Sequence, residues 1–271
     1  MFDVRKVALV LLGLSLLGGC QGRLSSSRGL FNIEELFTGQ SSTDATIELE
    51  VLGPIEINVE SFGGDVIIDV DEELTTAKVT IRRVALHGAG RLDEAEASLS
   101  QIDYTVEIVP GDLGQVLRIR TFTTHAEPHF QRADIRIELP SVDGVYVRTE
   151  RGDVVAKNIE GVVEISNSQG DVRIMTNHPM KRAVTITNSE GDIEYRVRGE
   201  STGVFDCEAK SGRVEHRVMY GKFRIAPNRR RGILQAALNN GDNLVKLTTQ
   251  DGNIMIAVVA DPTDAGILLF P

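Results

Sequence analysis

Beyond about residue 44, most of the chain alternates between apolar and polar positions with a period of two, which is typical of strands with one buried face. A Gly followed by Asp or a substitute interrupts this alternation repeatedly. These glycines are Gly64, Gly152, Gly170, Gly191, Gly212, Gly241 and Gly252. From Gly152 to Gly212 they are 18, 21 and 21 residues apart. The spacing predicts a repeated strand–turn–strand unit with the Gly at a turn that requires a positive φ.

Aligning the units on the Gly places apolar residues in fixed columns. Seven positions before the Gly stand Ile57, Val145, Val163, Val184, Phe205, Leu234 and Val245. Five positions before it stand Val59, Val147, Ile165, Ile186, Cys207, Ala236 and Leu247. Four positions after it stand Ile68, Ala156, Ile174, Tyr195, His216, Val245 and Ile256. Because one such hairpin cannot bury its own apolar face, the units are expected to stack. The predicted fold is an all-β, single-domain β-solenoid or β-helix-like stack.

Small or polar residues occupy a further column, three positions before the Gly. Its members are Ser61, Thr149, Asn167, Asn188, Ala209 and Thr249, with Leu238 as the exception. Two arrangements fit Asn167 and Asn188. Their amides form a ladder between equivalent side chains inside the stack, or they face water at the mouth of the turn.

The half before Gly144 is less regular. Strands are predicted over residues 47–70, 78–84, 104–109, 115–121 and 134–139. Residues 91–102 place Leu92, Ala95, Leu99 and Ile102 on one helical face. This short helix is interpreted as a cap or side element, since the end of a solenoid needs a polar cover. The repeat domain is assigned to residues 44–260, most regular over 135–258, with a C-terminal tail at 261–271.

The first 19 residues are typical of a secretory signal. Arg5 and Lys6 precede an apolar run from Val7 to Leu17, and Leu17-Gly18-Gly19-Cys20 resembles a bacterial lipobox. We expect cleavage before Cys20 and lipidation of its thiol; several acyl chains suffice for stable membrane anchoring. The alternative is an ordinary signal peptide that ends beside a Cys. Gln21, by resemblance to the sorting rule of enteric bacteria, favours the outer membrane.

Residues 20–43 are interpreted as the lipidated N-terminus and a flexible tether. The tether is rich in Ser and Gly. As an alternative to a fully flexible tether, the patch Phe31–Phe37 docks on the domain.

Composition excludes several classes of protein. The chain has 271 residues, 41% of them hydrophobic, and a formal net charge of -10, which is typical of folded protein and disfavours nucleic-acid binding. With only two Cys and five His, neither a disulfide framework nor a dense metal cluster is expected. No cofactor is predicted.

The central units resemble a known family. Val145–Thr149 before Gly152, Val163–Asn167 before Gly170, and Val184–Asn188 before Gly191 are similar to the putative-adhesin family of bacterial β-strand-repeat proteins, a domain of unknown function. The resemblance covers roughly residues 44–260. Gly212-Arg213 and Gly241-Asp242-Asn243 depart from its pattern.

Two candidate sites lie on the predicted turns. Arg151-Gly152-Asp153 spells the tripeptide that integrins recognise, but its Gly and Asp belong to the repeat, so coincidence is the favoured interpretation. Asp153, Asp171 and Asp192 would stand about 4.8 Å apart on successive rungs. Such carboxylates suit Ca²⁺ binding or a retaining glycosidase. We favour turn chemistry, in which each Asp bonds to local backbone N–H groups.

The remaining candidates are weaker. His125 and His129 have the spacing of a helical zinc site, but Pro128 disfavours a helix there, so a solvated loop is expected. Arg229–Arg231 is interpreted as an exposed turn, with binding of acidic lipid or polysaccharide as the alternative. Cys207 is expected to be a buried hydrophobe. A nucleophilic role would need His216 nearby.

These observations favour a non-enzymatic, membrane-anchored envelope lipoprotein that serves as an adhesive or scaffold module for an envelope protein or polysaccharide. One alternative is a β-helical enzyme that acts on polysaccharide through the Asp column, and another is a periplasmic assembly or signalling partner. The register further predicts that Ile186 faces inward and that Glu194 faces outward into solvent.

Overall fold

The computed structural model describes residues 39–51, 53–111, 114–227 and 230–263. The expected signal peptide, Cys20, most of the tether, Arg229 and the end of the C-terminal tail lie outside these ranges. In the described part, strands dominate. They are β1 (Gln40–Leu49), β2 (Ile55–Ser61), β3 (Val66–Val70), β4 (Ala77–Leu86), β5 (Ile102–Pro110), β6 (Gln115–Thr123), β7 (Gln131–Leu139), β8 (Val142–Arg151), β9 (Val154–Lys157), β10 (Val163–Gln169), β11 (Val172–Thr176), β12 (Val184–Glu190), β13 (Ile193–Arg198), β14 (Gly203–Ala209), β15 (Val214–Val218), β16 (Phe223–Ile225), β17 (Ile233–Leu238), β18 (Leu244–Asp251) and β19 (Ile254–Val259).

The strands form two sheets that enclose one hydrophobic core. Sheet A has nine strands in the order β1-β4-β7-β3-β9-β11-β13-β19-β15. Sheet B has ten strands in the order β16-β17-β14-β18-β12-β10-β8-β2-β6-β5. Each repeat contributes its first strand to sheet B and its second to sheet A. Neighbouring repeats pair in parallel, which confirms the β-solenoid-like stack.

Residues of the same predicted apolar column pair with one another in the observed sheets. In sheet B, Val163 pairs with Val145 on one side and Val184 on the other. In sheet A, Val172 pairs in the same way with Val154 and Ile193. All six side chains are at most 1% exposed, because every second residue of a strand points to the same face.

The order of the last rungs differs from their order in the sequence. The β18–β19 unit, which contains Gly252, lies between the Gly191 and Gly212 units. The prediction that Gly241 forms another such turn is wrong. The residues around Gly241 link β17 to β18, both in sheet B, and β17 runs antiparallel to β14. Leu234 therefore pairs with Cys207, and Val245 belongs to the Gly252 unit alone.

The predicted helix is present as α1 (Leu92–Ser98), followed by a 3-10 turn at Leu99–Gln101. It contacts β1 and β4 at the end of sheet A, where Ala95 is buried and Leu99 packs against the core. It is therefore a cap at one end of the stack.

The first strand begins earlier than expected. Residues 40–43, assigned from sequence to the tether, belong to β1 because they pair with residues 83–86 of β4. None of the helices in the described ranges is long and apolar enough to cross a membrane.

Candidate functional site: the turn edge

Six Gly turns that join sheet B to sheet A stand in one column, which we call the turn edge. In rung order their glycines are Gly64, Gly152, Gly170, Gly191, Gly252 and Gly212. Gly170 shows why the residue is needed. Its φ is +119°, and a Cβ there would lie 2.3 Å from the carbonyl oxygen of Gly152. The rungs approach so closely at this edge that a side chain has no room.

The residues after these glycines form a ladder between rungs. The backbone N–H of Asp153 donates to the Asp65 carboxylate at 3.0 Å, and that of Asp171 donates to Asp153 at 2.9 Å. The N–H of Asp192 donates to Asp171 at 2.8 Å. The Asp192 carboxylate accepts in turn from Asn253 at 2.7 Å. The expectation that each Asp bonds within its own turn is corrected, since each carboxylate reaches the next rung.

A second, buried ladder lies just inside the first. Asn167 Nδ2 donates to the carbonyls of Gly152 and Gly170, both at 3.1 Å, and Asn188 Nδ2 donates to Gly170 at 2.8 Å. Asn188 is 0% exposed. Neither arrangement considered from sequence is correct, because these amides are buried and bind turn carbonyls rather than one another or water.

The tripeptide Arg151-Gly152-Asp153 is built into this edge. The Arg151 guanidinium donates to the carbonyl of Pro128 at 2.9 Å. Asp153 takes part in the carboxylate ladder twice, since its N–H donates to Asp65 and its carboxylate accepts from the N–H of Asp171. The tripeptide is therefore fixed within a strand end and a turn rather than presented on a projecting loop.

A cavity of about 270 Å³ opens on the turn edge near the capped end of the stack. We call it the turn-edge cavity. Asp65 and Arg151 line it together with Arg132, whose Nε lies 3.2 Å from Asp134. Burial raises the pKa of Asp134. Apolar lining comes from Val84, Leu86 and Phe130. The cavity thus joins an apolar wall to arginine and carboxylate groups.

A family model that describes the Toastrack DUF4097 domain matches residues 56–257. The chain belongs to the Toastrack DUF4097 family. This is a domain of unknown function, as the resemblance predicted.

Two solved structures are similar to this Toastrack chain. One is the crystal structure of a "putative cell adhesion protein" from Clostridium sporogenes, 13% identical, with a TM-score of 0.60, covering 81% of this chain and 100% of its own. The other is a "putative adhesin" from Bacteroides fragilis, also 13% identical, with a TM-score of 0.25, covering 80% of this chain and 97% of its own. At this identity the Clostridium structure supports the fold alone. No curated protein matches the chain.

The histidines of the Toastrack domain do not converge on a metal. His125 Nδ1 lies 3.0 Å from the N–H and the carbonyl of Glu127, and His129 packs on Phe130 with 4.1 Å between ring centroids. In the described residues no three His, Cys, Asp or Glu side chains are grouped to hold a metal ion.

Sequence reasoning missed His87. It is buried, stacks on Phe130 at 5.0 Å, and its Nε2 lies 2.8 Å from Ser98 Oγ in α1. Burial, then Arg91 and His125, lower its pKa. The only sequence signal was its place directly after the strand that precedes the helix.

Cys207 of the Toastrack domain is 0% exposed, in the inward column as predicted. Burial raises the pKa of its thiol to about 12, and the nearby Asp206 adds to the effect. A thiol with this pKa carries almost no thiolate at neutral pH, so it is unsuited to nucleophilic attack. His216 lies in the following strand of the same unit, where its ring packs near Phe223.

Glu194 contradicts the expected solvent exposure. It lies on the outward face of sheet A, yet its side chain is only 9% exposed. Arg173 Nε lies 2.7 Å from one carboxylate oxygen, and Arg196 pairs with the other. The two guanidinium groups cover the carboxylate, which alternation alone cannot reveal.

Proposed function

We propose that this Toastrack chain is a non-enzymatic adhesive or scaffold module of the cell envelope, attached to a membrane by a lipid on Cys20. The observation that carries the proposal is the carboxylate ladder. Asp153, Asp171 and Asp192 each accept a backbone N–H from the next rung. Carboxylates that hold neighbouring rungs together in this way have a structural role, which favours a scaffold over an enzyme that uses the Asp column.

The turn-edge cavity is the surface that we assign to the ligand. Its apolar wall, Leu86 and Phe130, offers contact area, while Arg132 and Arg151 on the same cavity suit anionic groups of an envelope protein or polysaccharide. Arg151 is held by Pro128, so its guanidinium is already positioned before binding. Preorganisation of this kind reduces the entropy cost of association.

The anchor is proposed from the sequence. The lipobox-like Leu17-Gly18-Gly19 precedes Cys20, and Gln21 favours the outer membrane if the organism is Gram-negative. Attachment through the N-terminus would hold the chain at the membrane.

Adhesion of protein-coated beads to isolated cell envelopes tests the proposal. Leu86 is 47% exposed in the cavity, so Leu86→Asp should fold normally and abolish adhesion. Thr187→Asp, on the exposed outer face of β12, is the matched control and should adhere like the parent protein. Equal adhesion by both variants would show that the turn-edge cavity does not bind the ligand.

The same preparation tests the enzyme alternative. We expect no release of reducing sugars from envelope polysaccharide. Release that disappears in Asp171→Asn would replace the adhesive function with a polysaccharide-active one. Co-purification with one stoichiometric protein would favour an assembly or signalling partner instead.

A further inference from the structure

The two ends of the stack carry opposite charge. At the capped end, sheet A finishes with β1 and sheet B with β5. Residues 40–51 and 102–110 contain five carboxylates and no Lys or Arg. The carboxylates are Asp44, Glu48, Glu50, Asp103 and Glu107, all exposed. We call this the acidic end; Arg82 and Arg118 in the neighbouring strands pair with only two of its members, Asp44 and Glu107.

The opposite end, which we call the basic end, finishes with β15 and β16. Residues 214–241 contain six Lys and Arg and one carboxylate, Glu215, which pairs with Arg213 at 2.7 Å. The chain as a whole has a net charge of -10. Lys222, Arg224, Arg230 and Arg231 are exposed. In the described part of the chain, none of these four has a carboxylate within 4.0 Å.

Both ends also leave apolar surface and strand edges uncovered. At the acidic end, Leu49, Val106 and Ile108 are only half-buried although they pack against the core. Helix α1 contacts β1, yet residues 44–49 remain alternately exposed and half-buried. No strand of the described chain pairs with the outer side of β1 or β5.

The basic end has matching features. Met219, Tyr220 and Ile225 are 57%, 48% and 37% exposed. Among the described strands, none pairs with the outer side of β15 or β16, although Val214 N–H at the start of β15 donates to the carbonyl of Arg231. Edge strands with free backbone groups are templates for pairing with another chain.

From these features we infer that a second copy of this chain docks head to tail, its acidic end against the basic end of the first. In this orientation sheet A continues into sheet A, sheet B into sheet B, and carboxylates meet cations. Like ends repel, which selects the orientation. A contact between two different surfaces is heterologous, and because it repeats here along the axis of the stack, it generates open linear chains rather than closed dimers. The inference does not depend on the proposed ligand of the turn-edge cavity.

Sedimentation velocity of the full-length protein in non-ionic detergent tests the inference. At low salt we expect species larger than dimers that increase with protein concentration up to about 100 μM. Raising NaCl from about 0.05 to 0.5 M should weaken association at least about tenfold, because salt screens exposed charges. A monomer at every concentration in low salt would overturn the inference.

Charge reversal separates head-to-tail contact from other modes. The first variant, Lys222→Glu/Arg224→Glu/Arg230→Glu/Arg231→Glu, leaves two cations beside four new carboxylates at the basic end, so both of its ends are acidic. The second variant, Glu48→Lys/Glu50→Lys/Glu107→Lys, leaves two carboxylates beside three new cations at the acidic end, so both of its ends are basic. Each variant alone should be monomeric, whereas their equimolar mixture should associate. The control Glu150→Lys/Glu164→Lys, on the exposed outer face of β8 and β10, should associate like the parent protein.

The contrary outcomes are distinct. If reversal of the basic end abolishes association while reversal of the acidic end does not, the contact is between like ends and the inference is wrong. If the parent protein is monomeric but binds phosphatidylglycerol vesicles through Lys222 and Arg224, the basic end contacts an anionic surface instead. Circular dichroism melting curves verify that each variant is folded, and the salt dependence of the parent protein needs no variant.

Discussion

Replacing Ile186 with Asp tests the register on which the whole stack depends. Ile186 is 0% exposed and pairs with Ile165 on one side and Leu247 on the other. The adjacent Thr187 points to the opposite face of β12 and is exposed. Ile186→Asp and Thr187→Asp therefore introduce the same carboxyl group one residue apart, on opposite faces of one sheet.

The expected magnitude has two parts. Loss of the buried Ile side chain costs about 1.5–3 kcal/mol. A carboxyl group surrounded by apolar residues stays protonated, and holding it neutral at pH 7 against an ordinary pKa of about 3.9 costs about 4 kcal/mol. Together these reach about 6 kcal/mol, which approaches the entire stability of a typical domain, about 5–15 kcal/mol.

The pH dependence identifies the cause. Because burial raises the folded-state pKa of the new Asp above its unfolded value, its charge-related penalty is present at neutral pH and disappears below about pH 4. Relative to the parent protein at each pH, Ile186→Asp should regain about 4 kcal/mol between pH 7 and pH 4. The loss of about 1.5–3 kcal/mol from the missing Ile should remain.

Urea titrations at both pH values provide the assay, with the midpoint and slope giving the free energy of unfolding. Thr187→Asp should stay within about 0.5 kcal/mol of the parent protein. If the two variants had equal midpoints at pH 7, the inward assignment of Ile186 would be refuted. A pH-independent difference would show that the carboxyl group is solvated.

Three further predictions concern the anchor, the turn edge and sheet A. Cys20→Ser should block lipidation and leave the precursor uncleaved. If mass spectrometry found a mature N-terminus without a lipid in the parent protein, this prediction would be wrong. Melting curves in EDTA and in 1 mM Ca²⁺ should agree within about a degree, whereas a site with a Kd of about 10 μM would add about 2.7 kcal/mol. A shift of several degrees, removed by Asp171→Asn, would indicate a calcium site. Glu194→Lys should cost about 3 kcal/mol or more in urea unfolding, because it breaks a buried ion pair and leaves three cations together; the exposed Glu164→Lys should cost less than about 0.5 kcal/mol.

Local alternation predicted the parts of the fold that depend on neighbouring residues alone. The pleat of a strand fixes which side chains share a face, so pairs such as Val163 with Val184 follow once the glycines are aligned. The helix at residues 92–98 follows in the same way from its 3.6-residue period.

Alternation does not encode which strands become neighbours. The inward columns of β12, β14 and β18 are interchangeable apolar residues, so the sequence cannot show that β18 separates the other two. One signal against a Gly241 rung was present in the alignment. Val245 falls both in the column after Gly241 and in the column before Gly252, and one residue cannot occupy both strands.

The polar ladders were beyond prediction for a related reason. Period and spacing placed Asn167 and Asn188 in one column, but their bonding depends on the distance between rungs. The glycine turns approach so closely that the amide of Asn188 reaches the Gly170 carbonyl of the neighbouring rung at 2.8 Å. Burying such an amide without this bond would cost about 1–3 kcal/mol, so the Gly column and the Asn column depend on each other.

The turn edge also explains why the repeat departs from its own pattern. In rung order the ladder runs from Asp134 and Asp65 through the three aspartates of the regular units to Asn253 and then Arg213. The backbone N–H of Arg213 still donates to Asn253 Oδ1 at 3.3 Å, so the ladder continues while its charge changes sign. Stacked carboxylates repel one another, and each additional Asp would add to that repulsion. The neutral Asn253 and the cationic Arg213 limit it at the last two rungs. They also give the turn edge a polarity along the stack, from the carboxylates of Asp134 and Asp65 at β7 and β3 to the guanidinium of Arg213 beside β15.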